Sequence, residues 1–319
     1  MSGNRGQLTA VDQPLGFSGV RREIRNVQAD SRVFYVDPNN ALSSDSNSGE
    51  DPAFPLLTIT QAVANARALK GDEINVIQND GWLYGSATNN PIVETVIIPA
   101  TKPGITLRGV GHGSIGVYWQ PGAAGETCLT INAMDCMVEG FAFFGNGAAA
   151  DGISLDWDGA ATYGENCVIR SCLFDEEIDT AIQLEFSWFN HIYNNTFQQC
   201  DVYGIWSDVG GSGTAYNKIH HNTFMDLTGT SAIALLGGGD DNYIHNNLIY
   251  NTNAEAGAAA TNEGINLTGG TNNLVTLNTF SCLLPVPANG DWDDLNTAAA
   301  TDAWVQNYCL DGPNVTNPT

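Results

Sequence analysis

The sequence predicts an all-β fold, a parallel β-solenoid with a capping helix at its N-terminal end. One short unit recurs five times between residues 167 and 282: a β-branched register residue, a Cys or Asn three positions later, and a Phe or Ile two positions beyond that. A second unit, Gly or Ala followed by Ile, lies between these copies and begins at Gly152, Ala181, Gly204, Ala232 and Gly264. Two interleaved repeats with one period indicate that successive windings of the chain stack.

The repeat also predicts strands rather than helices. Register residues fall at 138, 169, 192, 219, 244 and 275, so the period is 23 to 31 residues. Each unit alternates β-branched and polar residues between Gly and Asn, without a helical period. Because stacked windings lie about 4.8 Å apart, equivalent side chains should contact one another. We therefore expect an amide ladder at a turn that starts at Cys172 and continues through Asn195, Asn222, Asn247 and Asn278, and an apolar stack of Phe174, Phe197, Phe224, Ile249 and Phe280.

The Asn-x-Phe units and the length of the winding resemble the right-handed parallel β-helix superfamily, typified by pectate lyases and phage tailspikes. The resemblance covers roughly residues 100 to 283 and implies a right-handed parallel β-helix. It implies little about chemistry, because this fold hosts lyases, hydrolases, epimerases and purely structural proteins.

The N-terminal part of the chain predicts the cap. A threonine followed by good helix formers, with Ala62, Val63, Ala66 and Leu69 at helical spacing, predicts an amphipathic helix over 59–69 that plugs the first coil. After Cys282 the periodicity stops, and we expect the tail to fold back as a second cap or to pack against a neighbouring subunit. The predicted divisions are a basic arm (1–32), a strand, loop and capping helix (33–82), the parallel β-helix (83–283) and a C-terminal cap or tail (284–319).

Charge limits the partners. The formal net charge of −24 argues against nucleic acid, because phosphate contacts need clustered Lys and Arg. No apolar run is long enough for a membrane helix, and the first residues lack the pattern of a secretory signal, so we expect no membrane partner and synthesis in a cytoplasm. Residues 1–32 carry a net charge of +2, whereas the rest carries −26. The arm is either a floppy terminus or a strap that orders on an acidic partner through Arg5, Arg21, Arg22, Arg25 and Arg32.

The seven cysteines predict no cross-link. Their number is odd and no Cys-x-x-Cys occurs, so neither a disulfide framework nor a zinc site is indicated. We expect most of them to be small buried apolar residues. His220 and His245 occupy one repeat position on adjacent coils, with His191 and His221 nearby, and we expect stacked imidazoles rather than metal ligands.

A column of carboxylates is the candidate catalytic feature. Asp156, Glu185 and Asp208 each stand three residues after the second-unit isoleucine, and Asp240 follows in the next, expanded turn. Such a column would suit paired acids in a glycoside hydrolase, or calcium as a cofactor. The nearby aromatics Trp157, Trp188 and Trp206 would suit a glycan site, a subunit interface or ordinary packing beneath loops.

Known catalytic sets of the superfamily are incomplete here. Lyases of this superfamily use an Arg or Lys base, and beyond Arg108 only Arg170 and Lys218 remain, both beside a register isoleucine where a solvated strand residue is expected. We therefore predict no catalytic residues, with Glu185, Asp208 and Asp240 as the set that an enzymatic alternative would use.

The segment that leads into the predicted β-helix also resembles a known sequence pattern. A Phe-Tyr-Val-Asp strand, a Ser/Asp-rich loop, Pro-Leu-x-Thr-Ile and Gly-Asp-x-Ile-x-Val resemble β-helix structural proteins of tailed phages. This resemblance implies a virion component, decorating a capsid head or serving as a spike, made in the host cytoplasm. We expect a homotrimer attached to another virion protein, with a tailspike-like depolymerase, a lyase or a glycan-binding adhesin that binds a surface glycan as the alternatives.

Overall fold

Three parallel sheets form the walls of the solenoid. In the computed structural model, which describes residues 30–78, 91–111, 116–146, 150–156, 163–207, 213–227, 230–251, 263–282 and 302–309, the chain passes from sheet A to B to C and back to A in each winding. All pairings within the sheets are parallel, as the repeat predicted. The all-β parallel β-helix is thus confirmed.

The strand bounds follow this order within the described residues. Sheet A consists of Val33–Val36, Glu73–Gln78, Thr106–Gly111, Met137–Glu139, Val168–Arg170, His191–Tyr193, Lys218–His220, Tyr243–His245, Leu274–Thr276 and Ala303–Val305. Sheet B consists of Ile92–Val93, Val117–Gln120, Phe141–Phe143, Leu173–Phe174, Thr196–Gln198, Thr223–Met225, Leu248–Asn251, Thr279–Cys282 and Tyr308–Cys309. Sheet C consists of Val96–Ile98, Leu129–Ile131, Ile153–Leu155, Thr180–Leu184, Tyr203–Ser207, Ser231–Leu235 and Glu263–Asn266.

The interior is built from vertical stacks of like side chains. Ile169, Ile192 and Ile219 are register partners in sheet A and fully buried. The predicted phenylalanine stack is confirmed: the ring centroids of Phe174 and Phe197 lie 5.0 Å apart, and those of Phe197 and Phe224 lie 4.4 Å apart. Such stacking places one continuous apolar core along the axis of the solenoid.

The phenylalanine stack explains why glycine precedes the second-unit isoleucine at Gly152 and Gly204. A Cβ on Gly204 would lie 2.8 Å from the ring of Phe224 and 2.5 Å from the carbonyl oxygen of Ala232. Gly152 faces Phe174 and Ala181 at similar distances. The edge of each aromatic ring thus fills the space that a larger side chain would need.

The predicted asparagine ladder is also confirmed. The side chain of Asn222 accepts hydrogen bonds from the backbone N–H and side-chain amide of Asn195, at 3.0 and 3.1 Å. Its own amide donates to the carbonyl of Ile192 and to Asn247 Oδ1. The backbone N–H of Cys172 donates to Asn195 Oδ1, so the ladder begins where expected. These bonds satisfy buried polar groups at the turns from sheet A to sheet B between Cys172 and Asn278.

A second ladder, which the sequence analysis missed, lies at the turn from sheet C to sheet A. The N–H of Cys167 donates to Asn190 Oδ1 at 2.7 Å, and the same contact links each later member to the next. Its members are Cys167, Asn190, Asn217, Asn242, Asn273 and Asp302. The sequence carried its signal, because each of these residues immediately precedes a strand of sheet A.

The capping helix α1 spans Ile59–Asn65, so its predicted end at residue 69 was wrong. Thr58 caps it by accepting from the N–H of Gln61, and the Glu94 carboxylate accepts from the N–H groups of Ile59 and Thr60 at 2.9 and 2.8 Å. Ala66 is extended, and Lys102 donates to carbonyls at the helix end. The early end follows from these tertiary contacts, which the local pattern does not contain. The helix buries Ile59, Ala62 and Val63.

The tail contributes a further winding. Ala303–Val305 pairs with Leu274–Thr276 in sheet A, and Tyr308–Cys309 pairs with Thr279–Cys282 in sheet B. Asn307 continues the first ladder by accepting from Asn278. The expectation that the windings end near residue 283 therefore needs correction. Trp304 occupies the register position and Asn307 follows three residues later, but the long interval without a repeat hid this unit.

The cysteines behave as small apolar residues. Where the structure describes their side chains, they are buried and not cross-linked, namely Cys128, Cys136, Cys167, Cys172 and Cys200. Burial raises the pKa of the Cys172 thiol to about 12, which keeps it protonated and unreactive. In the same part of the chain, no helix has the length and apolar character needed to cross a bilayer.

Candidate functional site

The outer face of sheet A gathers basic side chains that the rest of the solenoid lacks. Six Lys and Arg residues follow residue 32. Arg67, Lys70 and Lys102 hold the N-terminal cap, through Asp72, Asp30 and helix carbonyls. The other three, Arg108, Arg170 and Lys218, all lie on sheet A. Within the described strands, sheets B and C contain no Lys or Arg.

An ion-pair network runs along this face. Arg108 bonds to the carboxylates of Glu73, at 2.9 Å, and Glu139. Arg170 donates to Glu139 at 2.7 Å and to the hydroxyl of Tyr193 at 2.9 Å. Burial opposes ionisation of Glu139, but hydrogen bonds from Arg108 and Arg170 outweigh it and lower the pKa of Glu139. The network fixes the orientation of Arg170 and Tyr193.

The network continues into a histidine column. Tyr193, His220 and His245 are register partners, and their rings stack in sequence with centroids 5.1 and 4.8 Å apart. His191 Nε2 lies 3.3 Å from His220 Nε2. Burial, followed by the neighbouring imidazoles, lowers the pKa of His220 to about 3, and burial with other basic groups lowers that of His245 to about 4. The predicted imidazole stack is confirmed, and both rings are neutral hydrogen-bonding groups near pH 7.

An open groove adjoins this face at the turn from sheet C to sheet A. Its volume is about 400 Å³, and its lining includes Asn166, Phe189, Tyr216, Lys218, Asp241 and Tyr243. The rings of Phe189 and Tyr216 stack with centroids 5.1 Å apart and planes at 10°. The charge of Asp241 and its hydrogen bond to the Tyr216 hydroxyl raise the pKa of Tyr216. Lys218 and Tyr243 belong to both the groove and the sheet A face, so the two form one surface.

Arg170 and Lys218 were expected beside a register isoleucine as solvated strand residues, but the face that they share with Arg108 was not predicted. Arg108 and Arg170 follow the register residues Leu107 and Ile169, whereas Lys218 precedes Ile219. Residues on either side of an inward register position point outward in a strand. The repeat therefore contained enough information to place all three basic residues on one outward face.

The predicted carboxylate column is only partly assembled. Leu155 pairs with Leu184, and Glu185 N–H donates to the carbonyl of Leu155, so Asp156 and Glu185 occupy adjacent register positions. Asp208 lies outside the described residues. Ser207 pairs with Leu235, so the next position belongs to Leu236 rather than Asp240.

Asp240 is placed elsewhere. Its Oδ1 accepts from the N–H and hydroxyl of Thr271, at 2.7 and 2.8 Å, and its carbonyl accepts from Tyr216 N–H. It therefore lies at the turn into sheet A, because the extra glycines Gly237, Gly238 and Gly239 lengthen that winding. The structure does not bring Glu185 and Asp240 together as a catalytic pair.

The predicted tryptophans do not form one strip in the part of the chain that the structure describes. Trp206 lies on sheet C between Gln183 and Ala234, and its ring stacks on Tyr203 at 5.7 Å. Trp188 lies at the turn, bridged to Ala215. Trp157 falls outside the described residues. A role of these tryptophans in a glycan site or a subunit interface stays a prediction.

The remaining predicted site residues divide between the folded body and the arm. Arg32 pairs with Glu50 at 3.2 Å, and its N–H donates to Asp72 at 2.8 Å. Arg5, Arg21, Arg22 and Arg25 fall outside the described residues. In the described ranges, no group of three or more His, Cys, Asp or Glu side chains is arranged to hold a metal ion. Calcium at the carboxylate column stays a prediction, because the column includes Asp208.

Among solved structures, polysaccharide lyases are similar to this chain at a low level. A mutant of the PL6-family alginate lyase AlyGC has 15% identity and a TM-score of 0.37, covering 76% of this chain and 38% of its own. A PL6-family polysaccharide lyase from Pseudopedobacter saltans has 12% identity and a TM-score of 0.34, covering 87% of this chain and 92% of its own. The chain thus spans well under half of the length of AlyGC. No curated protein sequence matches the chain significantly.

The family comparison agrees with the winding described above. The model for the "right handed beta helix region" matches residues 113–280, which is just over half of the 319 residues. The matched segment contains the phenylalanine stack and most of both ladders. The chain belongs to the right-handed β-helix family.

Proposed function

We propose that this β-helix binds a polysaccharide along the outer face of sheet A. The single observation that carries the proposal is the gathering of Arg108, Arg170 and Lys218 on one face that also presents tyrosine and neutral imidazoles. Such a face offers fixed donors, acceptors and ring surfaces, which are the groups that recognise sugar hydroxyls and pyranose rings. Its length along the solenoid suits a chain of repeating units better than a single small molecule.

A matched pair of tyrosine variants tests which face binds. Tyr193 lies on sheet A and Tyr203 on sheet C; both are half-buried strand residues that stack on a neighbouring ring. Binding of the purified chain to immobilised neutral and acidic polysaccharides would be measured for Tyr193→Ser and Tyr203→Ser. We expect Tyr193→Ser to weaken binding by about fivefold or more and Tyr203→Ser to leave it unchanged.

The opposite result would move the site to sheet C, where Trp206 was a predicted glycan contact. If the wild-type protein bound none of the polysaccharides, the proposal would be abandoned. Shortening of a bound polysaccharide in the same samples would show cleavage in addition to binding.

A structural role in a phage virion is the second candidate, and the charge distribution favours it. An arm with a net charge of +2 precedes a body of −26, which suits attachment to an acidic particle surface. We propose that such attachment, as a homotrimer on a capsid or tail protein, positions the polysaccharide-binding face outward.

The truncation that tests attachment should stop at residue 29. Asp30 pairs with Lys70 at 3.0 Å, and Arg32 bonds to the body, so removing them would disturb the fold. Particle binding would be compared for the full chain, a chain that lacks residues 1–29, and a chain in which Arg5, Arg21, Arg22 and Arg25 are all replaced by Gln. Attachment that survived both changes would exclude an arginine-mediated arm.

A further inference from the structure

Two aromatic residues stand where the fold itself favours small polar ones. The residue two positions before a sheet A strand adopts a left-handed conformation in six successive windings, with φ between 54° and 66°. These residues are Asp135, Asn166, Phe189, Tyr216, Asp241 and Asn272. Asn and Asp tolerate this conformation, whereas bulky side chains adopt it at a cost of about 1 kcal/mol or more. Only Phe189 and Tyr216 depart from the pattern in this column of the described residues.

Burial does not offset that cost. Phe189 and Tyr216 are 49% and 50% exposed, respectively, and their main ring contact is with each other. Phe189 and Tyr216 do not contribute to the core, because the buried side chains at these two turns are those of the following residues, Asn190 and Asn217. A locally unfavourable choice that stability does not explain indicates a role in binding.

The groove around the two rings offers the remaining contacts of a sugar site. Asp241 supplies carboxylate oxygens, Lys218 an ammonium group and Asn166 an amide. The volume of about 400 Å³ lies in the usual range of small-molecule sites. Ring faces suit the apolar face of a pyranose, while the polar groups at the rim suit its hydroxyls.

Charge favours a neutral sugar. Asp241 and Lys218 balance one another in the groove, so the site has no net attraction for an anion. The whole chain carries −24, which repels polyanions at long range. An uncharged, hydroxyl-rich polysaccharide is not repelled by the net charge and does not need a positively charged groove.

We propose that the Phe189 and Tyr216 pair, with Asp241 and Lys218, holds a neutral hexose unit of the polysaccharide and so determines which polysaccharide binds. This inference rests on the proposed polysaccharide-binding function of the sheet A face. It adds the class of sugar and the residues that select it.

Asparagine substitutions separate binding from folding. Phe189→Asn and Tyr216→Asn place at each position a residue that the column already uses at Asn166 and Asn272. We expect the thermal midpoint to stay equal or to rise, because the left-handed strain is relieved. Affinity for neutral oligosaccharides should fall by about tenfold or more for each variant.

Leu277→Asn is the matched control. Leu277 is also an exposed apolar residue in the left-handed conformation, with φ of 58°, but it lies at the turn from sheet A to sheet B, away from the groove. Its substitution should change stability in the same direction and leave sugar affinity unchanged. Affinities would be measured by calorimetry with neutral hexose oligomers and with uronate oligomers.

Each outcome bears on the inference separately from the proposed function. Unchanged affinity in both asparagine variants would overturn the inference and leave polysaccharide binding by sheet A intact. Binding of uronate oligomers alone would also overturn it, while supporting the broader proposal. A lower thermal midpoint in Phe189→Asn and Tyr216→Asn, with affinity retained, would show that the rings serve the fold.

Discussion

At the scale of single residues, the buried ladder asparagines contribute most to the structure. Asn222 is 1% exposed, yet both ends of its amide are satisfied by the windings above and below. An asparagine fits this position because only a side chain with both a donor and an acceptor on one plane can serve two neighbours. The same reasoning applies to Asn217 in the second ladder.

Asn222→Asp should be strongly destabilising although it is isosteric. The amide that donates to Ile192 O and Asn247 Oδ1 would become a carboxylate facing two acceptors. We expect the free energy of unfolding to fall by about 3 kcal/mol or more at pH 7, measured by urea denaturation. The exposed Asn194→Asp, at a left-handed position that Asp tolerates, should change it by less than about 0.5 kcal/mol. Equal losses in the two variants would contradict this account.

Both ladders could be predicted from the sequence, but only one was. Asn195 and its equivalents lie inside the repeating unit, three residues after an inward isoleucine, so their stacking followed from the register. Asn190 and its equivalents also have a constant spacing, two residues before the same register position, but they lie outside the repeating unit that was read from the sequence. The separation of Asp240 from Glu185 was not predictable in this way, since a longer turn shifts every residue beyond it.

At the scale of elements, sheet A differs from the other two sheets in the chemistry of its outer face. Its polar column changes along the solenoid from ion pairs at Arg108 and Glu139 to neutral rings at His220 and His245. The alternation of inward and outward residues was predictable from the sequence. The stack of His220 and His245 followed from their shared repeat position as well, whereas the ion pairs of Arg108 and Arg170 with Glu139 were not predicted.

The histidine column should make stability fall as the solution becomes acidic. Folded His220, with its pKa lowered to about 3, stays neutral while the unfolded imidazole takes up a proton near its usual value of 6.5. The unfolded state therefore binds more protons below about pH 6.5, and the contribution of the neutral imidazole is lost as pH falls from there towards 3.

His220→Gln removes this dependence at one site. Unfolding free energies at pH 7.5 and pH 5 would be compared for the wild type and the variant, and we expect a smaller loss in the variant. The change in unfolding free energy between the two pH values must be compared between the two proteins. Burial raises the pKa of Asp151 and Asp175 to about 6, and these carboxyls act in the opposite direction over part of that range in both proteins. Parallel pH profiles would show that the folded imidazole is protonated as easily as the unfolded one.

At the scale of the whole molecule, the charge of −24 works against the folded state. Only six basic residues follow residue 32, and three of them hold the cap. Asp175, Glu176 and Glu177 place three carboxyl groups in succession at one turn, and Glu176 and Glu177 are exposed. Repulsion of this kind depends on ionic strength.

Salt should therefore stabilise the protein. Raising sodium chloride from about 0.02 to about 0.3 M should raise the thermal midpoint, because the shorter screening length weakens repulsion among carboxylates. A variant with Glu176→Gln and Glu177→Gln, both exposed, should be more stable at low salt and gain less from added salt. A midpoint that fell with salt would mean that the Arg108 and Arg170 ion pairs outweigh the repulsion.

The two ends of helix α1 have a consequence for how the protein is made. Its first N–H groups are held by Glu94 and its last carbonyls by Lys102, both of which are translated after it. A nascent chain that has only just passed residue 65 has neither group, and a helix of seven residues is marginal by itself. The next winding must therefore be synthesised before the helix can be fixed in place. Capping of this end and formation of the first winding thus occur together during synthesis.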